Sequence, residues 1–303
     1  MKMLFLLVNN TCDMECTYCF YTIGHSERSH FRVRPEIASH VARKIASVGF
    51  NMVILSGGDP LCSRFKHESY VLIRELKAHG CKVIINTSAA CLDESDLDTI
   101  IDLGVDRIDV SIDSHNMDIH DAQRGHYVDA VRTLTGLIKK GYRNVASTIV
   151  VTKLNAPTLS ETICWLHEIG VEDVHIQRAF LPHRGVEKDD GIMQAIDKAA
   201  LHLHATHSPL YIDLIKRTFV GGAVPCRAQC RMGKEYFVCD AQGKLIPCFH
   251  RDDIVLGNLF NDPVDELLGS LENHELIACD VPPCFGNHCE SLFDIPTFWR
   301  KSS

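Results

Sequence analysis

The sequence predicts an α/β fold: a partial (β/α)6 barrel over residues 1–217, followed by a small C-terminal β-hairpin/helix domain over residues 218–303. Three observations lead there. Six short apolar runs rich in β-branched residues alternate with helical patterns. The helical patterns close in Gly, a common helix C-terminal signal. Beyond Arg217 that alternation stops, and a Gly/Pro-containing stretch, VGGAVPC, opens a different pattern.

The elements follow in order. Strand one is MLFLLV from Met3, and helix RPEIASHVARKIASVG follows it after a loop. Strand two, MVILS, precedes helix YVLIRELKAHG; strand three, KVIINTS, precedes ESDLDTIIDLG. Strand four, RIDVSID, leads to YVDAVRTLTGLIKKG, and strand five, ASTIVVT, to LSETICWLHEIG. Those last two helices also carry apolar residues at three- and four-residue spacing. Strand six is DVHIQRAF. Right-handed βαβ crossovers make such a series a parallel sheet. Six units are too few for a closed eight-unit barrel, so the barrel is open, with its chemistry at the C-terminal ends of the strands. In the second region KEYFVCDAQGKLIPCFH reads as a hairpin turning at Asp240–Gly243, followed by the helical DPVDELLGSLENHELI.

Composition narrows the function classes. Hydrophobic residues make up 46% and charged residues 23% of the 303, the values of a soluble globular chain. No signal peptide and no apolar run of about 18 residues are found, which predicts a cytoplasmic protein without a membrane partner. A formal charge of −8 argues against nucleic acid and suits a cationic substrate.

Fourteen cysteines are the anomaly. In a chain of this length without a secretory signal they point to metal rather than a disulfide framework. Cys62, Cys81, Cys91 and Cys164 are scattered and read as small core residues, whereas Cys12, Cys16 and Cys19 crowd one loop directly after strand one. A zinc site recruits a fourth ligand to close its tetrahedron. A [4Fe–4S] cube instead accepts three thiolates and leaves one iron open.

C-x3-C-x2-C followed by the aromatic Phe20 resembles the signature of the radical S-adenosylmethionine (SAM) enzymes. GGDP at Gly57–Pro60 resembles the same family's glycine-rich motif, with Asp59 where Glu is usual. The resemblance implies that Cys12, Cys16 and Cys19 hold a SAM-binding [4Fe–4S] cluster. It also implies that Phe20, Gly57, Gly58, Asp59, Asn86, Ser88, Ser111, Asp113, Asn155 and Arg178 surround the SAM. A structural role for each of these last residues stays open beside contact, and HDAQRG at His120–Gly125 reads as a loop-ordering stretch. The chemistry implied is reductive cleavage of SAM to a 5′-deoxyadenosyl radical that abstracts hydrogen from a C–H bond. A one-electron reductant such as a flavodoxin or ferredoxin is the implied partner.

The spacing of Cys230, Gly243 and Cys248, with LGNL after it, resembles the opening of SPASM/twitch auxiliary-cluster domains. Their usual ending is longer than Cys279, Cys284 and Cys289, so one auxiliary [4Fe–4S] cluster is expected; a zinc knuckle is the alternative. Cys226, Cys230, Cys279, Cys284 and Cys289 form the ligand pool, and Cys239 belongs to the core. Cys248 is either a ligand or, as favoured here, a hydrogen-atom donor facing the barrel mouth. As a whole the chain resembles the radical SAM epimerases of aminoglycoside biosynthesis, the neomycin C epimerase type. That implies inversion of a C–H carbon on an aminosugar ring, with SAM as consumed cosubstrate. Two enzyme alternatives are a dehydrogenase of an aminocyclitol and a ribosomal-peptide epimerase or thioether-forming enzyme; a non-enzymatic iron–sulfur scaffold is the third. Asp189 and Asp190, placed in the loop after strand six, either face substrate ammonium groups or are solvated.

Overall fold

The computed structural model describes residues 2–19, 31–179, 189–203, 232–249 and 251–273, with single helical positions at 212, 215, 216 and 219. Six strands run in parallel: β1 (Lys2–Asn9), β2 (Phe50–Gly57), β3 (Lys82–Thr87), β4 (Arg107–Ser111), β5 (Val145–Val151) and β6 (Asp173–Arg178). The helices between them are α1 (Pro35–Ser47), α2 (Lys66–Ala78), α3 (Glu94–Asp102), α4 (Met117–Gln123), α5 (Tyr127–Lys139) and α6 (Leu159–Glu168). A 3-10 turn, Ala156–Thr158, leads into α6, and α7 (Asp190–Leu203) follows β6. The second region supplies β7 (Tyr236–Cys239), β8 (Lys244–Ile246), β9 (Gly257–Asn258) and α8 (Val264–Asn273).

The sheet order is β6-β5-β4-β3-β2-β1-β7-β8-β9. Strands β6 and β9 are its unjoined margins, so the barrel is open, as expected. The predicted hairpin is β7–β8, but it does not stand apart. Strand β7 pairs in parallel with β1, Met3 opposite Tyr236 and Leu6 opposite Cys239, and makes the second region a continuation of the barrel's own sheet.

Alternation along each strand divides the core in two. Leu4, Leu6, Val8, Val53, Leu55, Val83, Ile85, Ile108, Val110, Ile149 and Ile176 face the helices and form the large outer core. Met3, Phe5, Met52, Ile54, Ile84, Tyr236, Val238 and Cys248 form a second, inner cluster. Met3, Phe5 and Ile84 lie in the first half of β1 and β3, and the register sets Met52 opposite Met3 and Ile54 opposite Phe5, so the cluster fills the lower part of the barrel and not its mouth. Opposite them the inner wall is charged: Arg107 donates to Asp173 at 2.6 Å and lies 2.8 Å from His175 Nε2, with Asp109 beside it at 3.4 Å.

Helix ends match the sequence signals. Gly49, Gly80, Gly104, Gly141 and Gly170 follow α1, α2, α3, α5 and α6 with positive φ. Pro35 opens α1, and a reciprocal Asp93/Asp96 capping box opens α3. Helix α4, which takes in part of the HDAQRG stretch, is an addition to the expected helices. So is α7, which begins at Asp190: Asp189 accepts the Ile192 N–H at 3.0 Å and lies 3.3 Å from Lys153. This acidic pair therefore starts a helix, a correction to its assignment to a loop.

Candidate active site

The loop after β1 is built against the loop after β2. Asn9, 2% exposed, donates from Nδ2 to the Asp59 carbonyl at 2.8 Å and accepts the Thr11 N–H at 2.8 Å. Gly58 N–H donates to the Asn9 carbonyl and Asp59 N–H to the Thr11 carbonyl, at 2.9 and 2.7 Å. The two chains lie so close that a Cβ at position 57 would meet the Asn9 carbonyl oxygen at 2.3 Å; one at position 58 would meet that of Thr11 at 2.2 Å. What the glycines admit here is the cysteine loop's own main chain. Asp13 extends the seam, accepting from Ser63 N and Oγ at 2.7 and 2.6 Å. Cys12 is thus held by β2's loop.

The far side of the cysteine loop is held by other elements. Thr17 N–H donates to the Gln123 carbonyl at 2.9 Å, at the end of α4. Tyr18 donates its hydroxyl proton to Asp113, and the Arg124 guanidinium stands 5.5 Å from the centre of the Tyr18 ring. Asp113 is wholly buried; it also takes Arg124 Nε–H at 3.0 Å and the Val150 N–H at 2.9 Å. Its own N–H donates to His120 Nδ1 at 3.1 Å, which leaves Nε2–H to donate to the Gly125 carbonyl at 3.0 Å. The HDAQRG stretch does order loops.

Cys12, Cys16 and Cys19 are half-buried. Burial pushes the Cys12 thiol well up, and Asp59 adds to it. Burial also raises Cys16, against the opposing pull of Arg124. Thiols ionise when a cation binds them, so three cysteines on one loop fit a metal cluster. Among the described residues no three Cys, His, Asp or Glu side chains converge on a single ion. A polynuclear cluster takes each thiol at a different iron and requires no such convergence. Gln123, 3% exposed, leaves Nε2 without a hydrogen-bond partner among the described residues, a buried donor that a bound group with an acceptor would satisfy.

The other predicted contacts divide. Asn86 and Ser111 are half-buried on the inner face, and Arg178 ends β6, its charge disfavoured by burial. Asp59 and Ser88 are committed to each other. The carboxylate accepts from Ser88 Oγ at 2.5 Å and from Ser88 N, Leu61 N and Thr87 Oγ1 at 2.8 Å each. Burial nonetheless raises the Asp59 carboxyl, with these donors opposing. Asn155 is wholly buried; it donates to the Asp113 and Val150 carbonyls and accepts the Thr152 N–H, so its carboxamide serves the backbone. Phe20, Cys226, Cys230, Cys279, Cys284 and Cys289 lie outside the described residues. Cys239 is wholly buried, as expected. Cys248 is 6% exposed, on the inner face but at the barrel floor, a correction to its placement at the mouth. From Met3 at that level to Asn9 is roughly 20 Å along β1, at ~3.3 Å per residue.

Sequence reasoning passed over Asn9, Asp13, Tyr18 and Arg124. Tyr18 lay inside the cysteine motif and Arg124 inside HDAQRG, so both carried a local signal. Asn9 and Asp13 carried none beyond adjacency.

The sequence model of the Radical SAM superfamily matches residues 6–166, more than half of the chain. That of SPASM, an iron–sulfur cluster-binding domain, matches residues 230–290. The AdoMet-dependent heme synthase of Methanosarcina barkeri is 24% identical over 86% of this chain and 80% of its own. A probable GTP 3′,8-cyclase of Sulfurisphaera tokodaii is 29% identical over 81% and 80%. Among solved structures, native anSMEcpe with bound AdoMet superposes with a TM-score of 0.70 at 17% identity, covering 95% of this chain and 89% of its own, a likeness of fold.

Proposed function

This chain belongs to the radical SAM superfamily, and from that premise we propose that it inverts a C–H stereocentre on an aminosugar ring of an aminoglycoside, with Cys248 returning the hydrogen. The iron–sulfur cluster and SAM, when bound, supply a 5′-deoxyadenosyl radical that removes a hydrogen atom from an unactivated carbon. Every other part of the reaction falls to side chains of this protein. Cys12, Cys16 and Cys19 would hold the cluster at the barrel mouth. Asn86 and Ser111 would meet the cofactor or substrate from the inner wall. The auxiliary cluster would draw on Cys226, Cys230, Cys279, Cys284 and Cys289.

The observation that carries the reading is Cys248: its thiol is buried on the inner face of the barrel among Met3, Phe5, Met52, Ile54 and Ile84, below the level of the cysteine loop. In the donor role this thiol would give its S–H hydrogen to the carbon radical from the face opposite the one that lost hydrogen, which requires the reacting carbon to sit deep in the barrel. The sulfur is left as a thiyl radical, which regains a thiol by taking one electron from the external reductant and one proton. The net charge of −8 suits a polycationic substrate.

A second reading rests on the two curated relatives, whose names describe a heme synthase and a cyclase, neither of them an inversion. In it Cys248, four residues after Gly243, is a ligand of the auxiliary cluster and no hydrogen is returned. Turnover in D2O with candidate aminoglycosides, followed by mass spectrometry, separates the two. Inversion leaves one solvent deuterium on the product. In the second reading no hydrogen is returned and the product carries no solvent deuterium at that carbon; a dehydrogenase would give a product lighter by a hydrogen molecule. No deuterated epimer from any aminoglycoside tried, together with SAM cleavage on another substrate, would overturn the epimerase reading.

A further inference from the structure

The two flanks of the cysteine loop are held differently. Around Cys12 the contacts are main-chain bonds between the two loops, the Asn9 carboxamide that bridges them, and Asp13 at the surface. Around Cys16 and Cys19 they converge on a buried ion pair, Asp113–Arg124, that comes from β4's end and α4's end. A buried ion pair is weak support for stability, because desolvation offsets much of the attraction. Position is the better account of this one. Asp113 Oδ2 receives both Arg124 Nε–H and the Tyr18 hydroxyl, so the guanidinium fixes the carboxylate to which the loop is tied. The same guanidinium lies against the Tyr18 ring, and the residue before it, Gln123, supplies the carbonyl that takes Thr17 N–H.

We propose that Arg124 is a positioning residue for cluster binding: through Asp113 and Tyr18 it holds residues 16–19 in the conformation that presents Cys16 and Cys19 to iron. This rests on the reading of Cys12, Cys16 and Cys19 as the SAM-cluster ligands. Nothing in the role requires contact with SAM or substrate. Lysine would keep the charge and lose the planar fork, so Arg124→Lys is a partial mimic only. Tyr18→Phe removes one hydroxyl and leaves the ring, which makes it the mildest cut of the same link.

The test uses anaerobically reconstituted full-length protein. Iron release to a chelator is followed by absorbance, and amide hydrogen exchange is mapped over residues 11–19. Arg124→Gln and Tyr18→Phe should release the SAM-cluster iron about 10- to 100-fold faster, the usual effect of losing a group that orients a metal ligand. Arg124→Lys should fall between these variants and wild type. Exchange should rise at Thr17 and its neighbours and stay unchanged in β1–β3. If Arg124→Gln does not accumulate as folded protein, Tyr18→Phe carries the test alone. Wild-type release rates in Tyr18→Phe and Arg124→Lys would overturn the proposal. So would exchange that rises across β4 and β5 together with loss of iron from both clusters, because that is a general folding defect. If wild type and the Cys12/Cys16/Cys19→Ala triple variant hold equal iron, the ligand reading itself fails, a result distinct from either.

Discussion

At positions 57 and 58 a methyl group has nowhere to go. The contacts it would meet at 2.3 and 2.2 Å are carbonyl oxygens of the cysteine loop, which cannot rotate away as a flexible side chain would. Gly57 also holds φ +134°, a conformation that side chains with a Cβ rarely adopt. Gly58→Ala should therefore either lose roughly 1–3 kcal/mol, as overpacking does, or push Thr11 outward. Urea denaturation under argon reads the first outcome, and faster iron loss from the loop reads the second. His120 gives a pH prediction of definite sign. Burial lowers its pKa below the ordinary value, and its Nδ1 must stay unprotonated to accept Asp113 N–H. The unfolded chain thus takes up the proton first, near pH 6.5. The stability contributed is full above that pH and is lost as pH falls towards the lower folded value. His120→Asn should remove this part of the slope, at most about 1.4 kcal/mol per pH unit. The test is the difference between variant and wild type in denaturation midpoints from pH 5 to 8; parallel curves would refute it.

At the scale of elements, the hairpin decides what Cys248 does. Strand β8 runs back along β7, Ile246 opposite Val238, and delivers Cys248 into a cluster of Met3, Phe5, Met52, Ile54 and Ile84. Cys248→Ala in the donor role should keep full iron, SAM cleavage and substrate hydrogen abstraction, and lose inversion. As a ligand it should lose about four irons or make the second cluster labile. Iron analysis of the variant separates the two before any product is assayed. The hairpin and the parallel strands could be read from the chain because their outer faces are continuous apolar runs against helices. Helix α4 could not. It spans seven residues, and its buried members, His120 and Gln123, are there to hydrogen-bond loops rather than to pack. Helix α7 had a readable stripe, with Ile196, Ala199, Ala200 and Leu203 buried, but the paired acids before it looked like loop. The site shows the same division. The cysteines announce themselves by spacing; the Tyr18–Asp113 tie joins residues 95 apart, and only the folded sheet brings them together.

For the whole molecule, the two cofactor regions should be chemically separable even though their strands share one sheet. Replacing Cys12, Cys16 and Cys19 with Ala should remove about four irons, abolish 5′-deoxyadenosine formation and leave an auxiliary cluster with iron and sulfide near four each. Tight zinc without sulfide in that variant would point to the knuckle instead. Among the described residues no helix is long and apolar enough to cross a membrane. The shared sheet bears on how the protein is made. Strand β1 leaves the ribosome first, and β2 covers one side of it within some fifty residues. Its other neighbour, β7, begins only at Tyr236. At about 5–20 residues per second that side of MLFLLV waits on the order of ten to fifty seconds for its partner. A nascent chain holding so apolar a strand open for that long is a natural client for chaperones. Its soluble yield in a foreign host should depend on how fast the stretch between β1 and β7 is translated.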